Sequence, residues 1–143
     1  MAAAAATLIL TAASALYADL TKAKAEPNLE RRARLALDNA SLQFRAAVGA
    51  DKTGDWAGTK QALAELSESV DLAYDSLRAT GRNPRNSGHH KNFEIKTRSL
   101  LKSLEDFRRR LDFEQREELA PFVEHLQKLH DEVLQSILEP KKR

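Results

Sequence analysis

The chain of 143 residues contains no cysteine. That absence removes disulfides, thiolate metal sites and cysteine nucleophiles together. The fold must therefore hold itself by packing alone, which suits a helical bundle better than a small loop-rich scaffold. Strand-like alternation of apolar and polar residues is also missing, so the expected class is all-α. No Gly-rich phosphate loop, no Glu-x-x-His pair and no Cys-x-x-Cys-His run occurs. Nucleotide-loop, carboxylate-bridged metal and covalent haem chemistries each need one of those patterns. No Ser-His-Asp set can be read from the chain either.

Charge is absent from residues 2–18, AAAAATLILTAASALYA, after which Asp19 opens a densely charged sequence. The run has the apolar core and small-residue exit of a secretory signal. Ala13-Ser14-Ala15 fits the small-x-small cleavage rule, and Leu16-Tyr17-Ala18 is a second, looser site. No Lys or Arg precedes the run, so a basic n-region is lacking. The competing reading is an Ala-rich first helix, because alanine is the best helix former. A membrane anchor needs ~20 strongly apolar residues, whereas only Leu8, Ile9, Leu10 and Leu16 qualify. The expected organisation is a signal peptide at 1–18, a polar lead-in at 19–27, one helical domain at 28–139 and a basic tail at 140–143. The expected location is secreted or periplasmic, with no stable membrane span after cleavage.

Spacing of apolar residues predicts about four helices in an antiparallel bundle. The first covers 28–48, capped by Asn28, with Leu29, Ala33, Ala36, Leu37, Ala40, Phe44, Ala47 and Val48 on one face. The second covers 55–80, capped by Asp55 and stopped by Gly81. Its stripe runs Trp56, Thr59, Leu63, Leu66, Val70, Ala73, Tyr74 and Leu77. The short connection makes these two an antiparallel pair. Residues 81–91 read as a loop broken by Pro84 and Gly88, with no apolar anchor. A third helix is expected over 92–111, facing Phe93, Thr97, Leu100, Leu101, Leu104, Phe107 and Leu111 inward. Asp112 with Gln115 three residues on is a capping-box signature. Pro121 lacks an N–H and clashes one turn back, so a short turn at 113–118 should precede the main helix at 119–138.

The pair 28–80 resembles a tetratricopeptide hairpin in Ala36, Ala40 and Phe44, then in Ala50-Asp51-Lys52-Thr53-Gly54-Asp55-Trp56 leading to Ala62. Its second helix is longer than that repeat allows, and no second copy follows at a 34-residue period. From Leu20 to Leu138 the chain also resembles a group of small exported bacterial helical proteins. AKAEPNLERRARLALDNA (23–40) and FEIKTRSLLKSLEDFRRRL (93–111) carry that resemblance. It implies a helical exported protein and transfers no catalytic residues.

Formal net charge is +2, yet residues 78–110 carry ten basic and three acidic side chains, a local +7. Arg82, Arg85, His89, His90, Lys91, Lys96, Arg98 and Lys102 gather in the loop and along the third helix. They form the expected binding surface for a protein or anionic envelope partner. No aromatic residue interleaves with the loop, so stacking on nucleic-acid bases is not expected. Arg85-Asn86-Ser87-Gly88-His89-His90 also matches the Arg-(x4–6)-His pattern of HEPN-type ribonucleases. That resemblance would make Arg85 a phosphate stabiliser and His90 an acid or base, but export argues against an intracellular ribonuclease. A metal or haem site in the bundle is a further alternative. His125 and His130, five apart, cannot share an ion from one helix face. His130 borders the apolar seam, where a satisfied core-edge histidine is the default. The favoured expectation is an exported, non-catalytic binding, adaptor or structural protein without cofactor.

Overall fold

The computed structural model describes residues 20–139. Four main helices account for most of them: α1 (Leu29–Lys52), α2 (Trp56–Ala79), α3 (Gly88–Arg108) and α4 (Phe113–Leu138). No strand occurs among the described residues, and the fold is an all-α helical bundle. The segments assigned from sequence as a signal peptide (1–18) and a basic tail (140–143) lie outside these residues.

Each helix starts on a side chain that accepts an otherwise unpaired N–H of the first turn. Asn28 accepts from Arg31 at 2.9 Å, Asp55 from Gly58 at 2.9 Å and Asp112 from Gln115 at 2.9 Å. Gln115 Oε1 returns the bond to the Asp112 N–H, completing the capping box. α1 runs past Gly49 to Lys52, and the turn closes at Gly54, whose φ of 74° favours glycine.

α1 and α2 pack most closely of all the pairs. Their seam is lined by Ala33, Ala36, Ala40 and Ala47 against Ala62, Ser69 and Ala73, small side chains that let the backbones approach. The Thr59 hydroxyl spans this seam to the Ala47 carbonyl at 3.2 Å. α3 and α4 instead join through larger residues, among them Phe93, Leu104 and Phe107 with Leu119, Leu126 and Val133.

The two hairpins lie side by side. Phe44 of α1 meets Phe107 of α3 edge to face at 6.2 Å, while His89 at the start of α3 reaches Glu30 at the start of α1. On the other side, Lys60 pairs with Glu118 and Tyr74 with Glu132. Within each hairpin the helices are antiparallel, yet α1 runs parallel to its neighbour α3, and α2 to α4. The 80–87 crossover passes diagonally from α2 to α3.

Three local expectations are corrected. Residues 20–25 are helical, not a polar lead-in; Leu20 and Ala23 are buried, and Lys24 pairs with Glu68 of α2 at 2.5 Å. Their apolar positions are three apart, so one face of a single turn suffices to dock. The 81–91 segment is not an unanchored loop. Pro84–Asn86 form a 3₁₀ turn, the Ser87 hydroxyl caps His90 N–H at 3.3 Å, and α3 begins at Gly88 and ends at Arg108. Finally, α4 is one continuous helix through Pro121. Pro121 is exposed, while Leu119, Val123 and Leu126 on the opposite side are buried and hold the helix across the missing hydrogen bond.

Candidate functional site

The crossover end of the bundle brings the last turns of α2, the 3₁₀ turn, the start of α3 and the second half of α4 around a pocket of about 240 Å³. Its polar wall is Tyr74, Arg78, Arg82, His90, Glu132 and Ser136, and Leu77, Pro84 and Val133 form the apolar part. The positions follow from helix periodicity. Tyr74 and Arg78 are one turn apart on α2, as are Glu132 and Ser136 on α4. Gly81, at φ 64°, ends α2 and lets the chain turn so that Arg82 and Pro84 close the rim.

Tyr74 donates its hydroxyl proton to Glu132 Oε2 at 2.5 Å, tying α2 to α4. That hydrogen bond to a carboxylate, together with burial, raises the phenol above its ordinary pKa and keeps it protonated. The Arg78 guanidinium sits 5.5 Å from the centre of the Tyr74 ring. His90 is only 5% exposed, and its Nδ1 is buried with no hydrogen-bond partner. Burial pushes the His90 pKa below its ordinary value; neighbouring His89 adds to this and Glu30 opposes it. The ring is thus neutral at neutral pH. Carrying its proton on Nε2 leaves a lone pair at Nδ1 unsatisfied, instead of an N–H.

Glu30 of α1 holds the rim, pairing with Arg82 through one oxygen and with His89 Nε2 through the other at 3.0 Å. The eight residues expected to form one basic surface therefore divide. Arg82 and His90 line the pocket, and His89 braces its rim. Lys91, Arg98 and Lys102, spaced by seven and four residues, share the exposed face of α3 with Arg109 and Ile95. Arg98 is paired with Glu94 at 3.4 Å. Lys96 is half-buried on the flank of α3, and Arg85 is exposed on the 3₁₀ turn. Arg85 is not among the residues lining the pocket, so the two residues of the ribonuclease pattern do not meet there.

The other histidines are occupied by carboxylates. His125 Nε2 lies 2.6 Å from Asp71, and His130 bridges Glu94 and Asp131 at 3.1 Å each. Among the described residues no group of three or more His, Asp or Glu is arranged to hold a metal ion, and no helix is long and apolar enough to cross a membrane. Arg78, Tyr74 and Glu132 were not foreseen as site residues. Tyr74 reads as part of the apolar stripe, and only its i, i+4 spacing from Arg78 hints at a shared surface.

Fold and site together define an all-α, cysteine-free bundle of two side-by-side hairpins with a pocket of mixed charged and apolar lining where the chain crosses between them. Comparison of the chain with protein-family models, with curated proteins and with solved structures returns no match.

Proposed function

We propose that the chain is an exported, non-catalytic helical binding protein, acting as an adaptor or structural component in the envelope or outside the cell. Its macromolecular contact is the outer face of α3, and its partner is an anionic protein or envelope surface. The observation that carries this reading is the exposure of Lys91 and Lys102 on one face with Arg98 and Arg109, within a segment of net charge +7. Neither lysine has an ion-pair partner among the described residues, so their charge is available to a partner. Ile95, 53% exposed in the middle of this face, adds an apolar contact of the kind a protein partner covers. The absence of an aromatic residue from the face weighs against nucleic acid. The tetratricopeptide-like sequence of the first hairpin and the signal-like run at 1–18 support the adaptor role and the compartment.

The double variant Lys91→Glu/Lys102→Glu tests the contact. Wild-type protein should bind immobilised heparin and anionic lipid vesicles with an affinity that falls as salt rises, and the variant should elute at clearly lower salt. Equal elution of the two proteins would overturn the proposed surface. Export is tested on the natural protein by its amino-terminal sequence. Cleavage after Ala15 or Ala18 supports it, and an uncleaved amino terminus refutes it.

A further inference from the structure

We propose that the face of the α3–α4 hairpin turned away from α1 and α2 packs against the same face of a second copy of this chain, giving a weak two-fold homodimer. The proposal rests on the reading of the α3 face as a contact for an anionic protein, and it names that protein.

The face is continuous across both helices. On one flank α2 holds α4, through Tyr74 with Glu132 and Asp71 with His125. On the other flank Arg98 pairs with Glu94, Glu94 with His130 Nε2 at 3.1 Å, and His130 Nδ1 with Asp131 at 3.1 Å. This run of polar contacts crosses from α3 to α4 and sets the exposed Arg98 and Asp131 on one surface. From Asp131, helical spacing along α4 leads back to Glu124, Glu117 and Phe113, and forward to Leu134 and Leu138. Apolar side chains lie among these charges. Ile95, Phe113 and Leu138, at 53%, 75% and 68% exposure, all belong to this hairpin. Leu134 and Leu138 line an open groove beside Asp131. Covering them removes apolar surface from water.

Charge specifies what covers the face. Its α3 edge is basic, with Lys91, Arg98, Lys102 and Arg109, and its α4 edge is acidic, with Glu117, Glu124 and Asp131. Within one copy the two edges project the same way. Among the described residues, Lys91, Lys102, Glu117 and Glu124 form no ion pair. A two-fold axis between the copies and parallel to the helices keeps every residue at its own height. It sets α3 of one copy over α4 of the other, antiparallel to it. Counting in opposite directions from the Glu94–His130 contact puts Lys91 level with Val133, Lys102 with Phe122 and Arg109 with Gln115. Asp131, Glu124 and Glu117 each stand two residues from those levels, ~3 Å along the axis. Each basic residue thus faces an acidic residue of the other copy, and symmetry makes every pair twice. The alternative in-plane axis, perpendicular to the helices, would lay α3 on α3 and set like charges together. The order of charges therefore selects one packing, an antiparallel four-helix arrangement of the two hairpins.

Size bounds the affinity. Two helices ~30 Å long and ~10 Å across offer roughly 600 Å² per copy, below the ~800 Å² of a standard interface. Association in the micromolar range is expected.

The test is sedimentation equilibrium of the full chain at low salt, from micromolar to submillimolar concentration. Wild type should pass reversibly from monomer to dimer, and the transition should move to higher concentration as salt rises. Lys102→Glu and Glu124→Lys, both at exposed positions, should each weaken dimerisation about tenfold or more by setting like charges opposite one another. The swap Lys102→Glu/Glu124→Lys should regain the wild-type affinity, and an equimolar mixture of the two single variants should form a mixed dimer. Unchanged thermal unfolding of each variant shows that the fold is intact.

A wild type that stays monomeric throughout overturns the dimer, as does dimerisation indifferent to both single variants, or a charge swap that fails to restore it. Heparin retention separates the two readings. A monomer still held through Lys91 and Lys102 rejects this inference alone. Equal elution of wild type and Lys91→Glu/Lys102→Glu rejects the basic face on which it rests.

Discussion

Protonating His90 would place a charge on a ring withdrawn from solvent and next to His89, which ties its titration to folding. Its folded-state pKa lies below the unfolded value of about 6.5, so in the interval between them the unfolded chain binds the proton more readily. The stability contributed by keeping His90 neutral is complete above about pH 6.5 and is lost as pH falls through the folded-state value. Urea unfolding followed between about pH 7 and about pH 5 should show the wild type losing more stability than His90→Gln. Parallel losses in the two proteins would refute a buried neutral imidazole. Polar residues were the hardest to place from sequence. Asn39 and Gln43 are both 1% exposed. Asn39 donates to Ser69 Oγ at 2.9 Å and to Glu65 Oε1 at 3.4 Å, whereas Gln43 Nε2 has no partner. Hydrophobic periodicity assigns a face by residue type, and it cannot see that neighbours enclose α1 over an arc wider than its apolar stripe.

At the scale of the helix, Pro121 is the clearest conflict between local preference and packing. Its interior position removes the bond to the Glu117 carbonyl, yet α4 continues because its buried side chains and capping box fix both flanks. Pro121→Ala restores the missing N–H on the exposed side without disturbing the core. It should raise stability by about 1–3 kcal/mol, read as a higher urea midpoint at unchanged slope. A lowered midpoint would mean that the ring itself packs usefully. Three caps, Asn28, Asp55 and Asp112, were legible because capping is chemistry local to a few residues. Ser87 was not. Pro84 and Gly88 read as breakers, although both stand at the first position of a helical turn, where no backbone N–H donor is needed.

At the scale of the whole chain, the helical class and the pairing of consecutive helices follow from period and short connections, so both were readable. The sideways placement of one hairpin against the other was not. It is fixed by contacts between residues far apart in sequence, such as Phe44 with Phe107 and Glu30 with His89, which no spacing rule encodes. For the same reason the eight basic residues looked like one surface, whereas they are spread over the pocket, its brace, the outer face and flank of α3 and the 3₁₀ turn. The compartment rests on residues 1–18 and is tested through the mature amino terminus.

The diagonal crossover has one more consequence. Neither hairpin alone contains the pocket, because Tyr74 and Arg78 belong to the first and His90 and Glu132 to the second. Whatever occupies it binds only when the two halves are docked, so by mass action their association gains RT ln(1 + [L]/Kd), growing with the ligand's concentration. Occupancy of a cavity this small would thereby act as a clasp on the entire molecule.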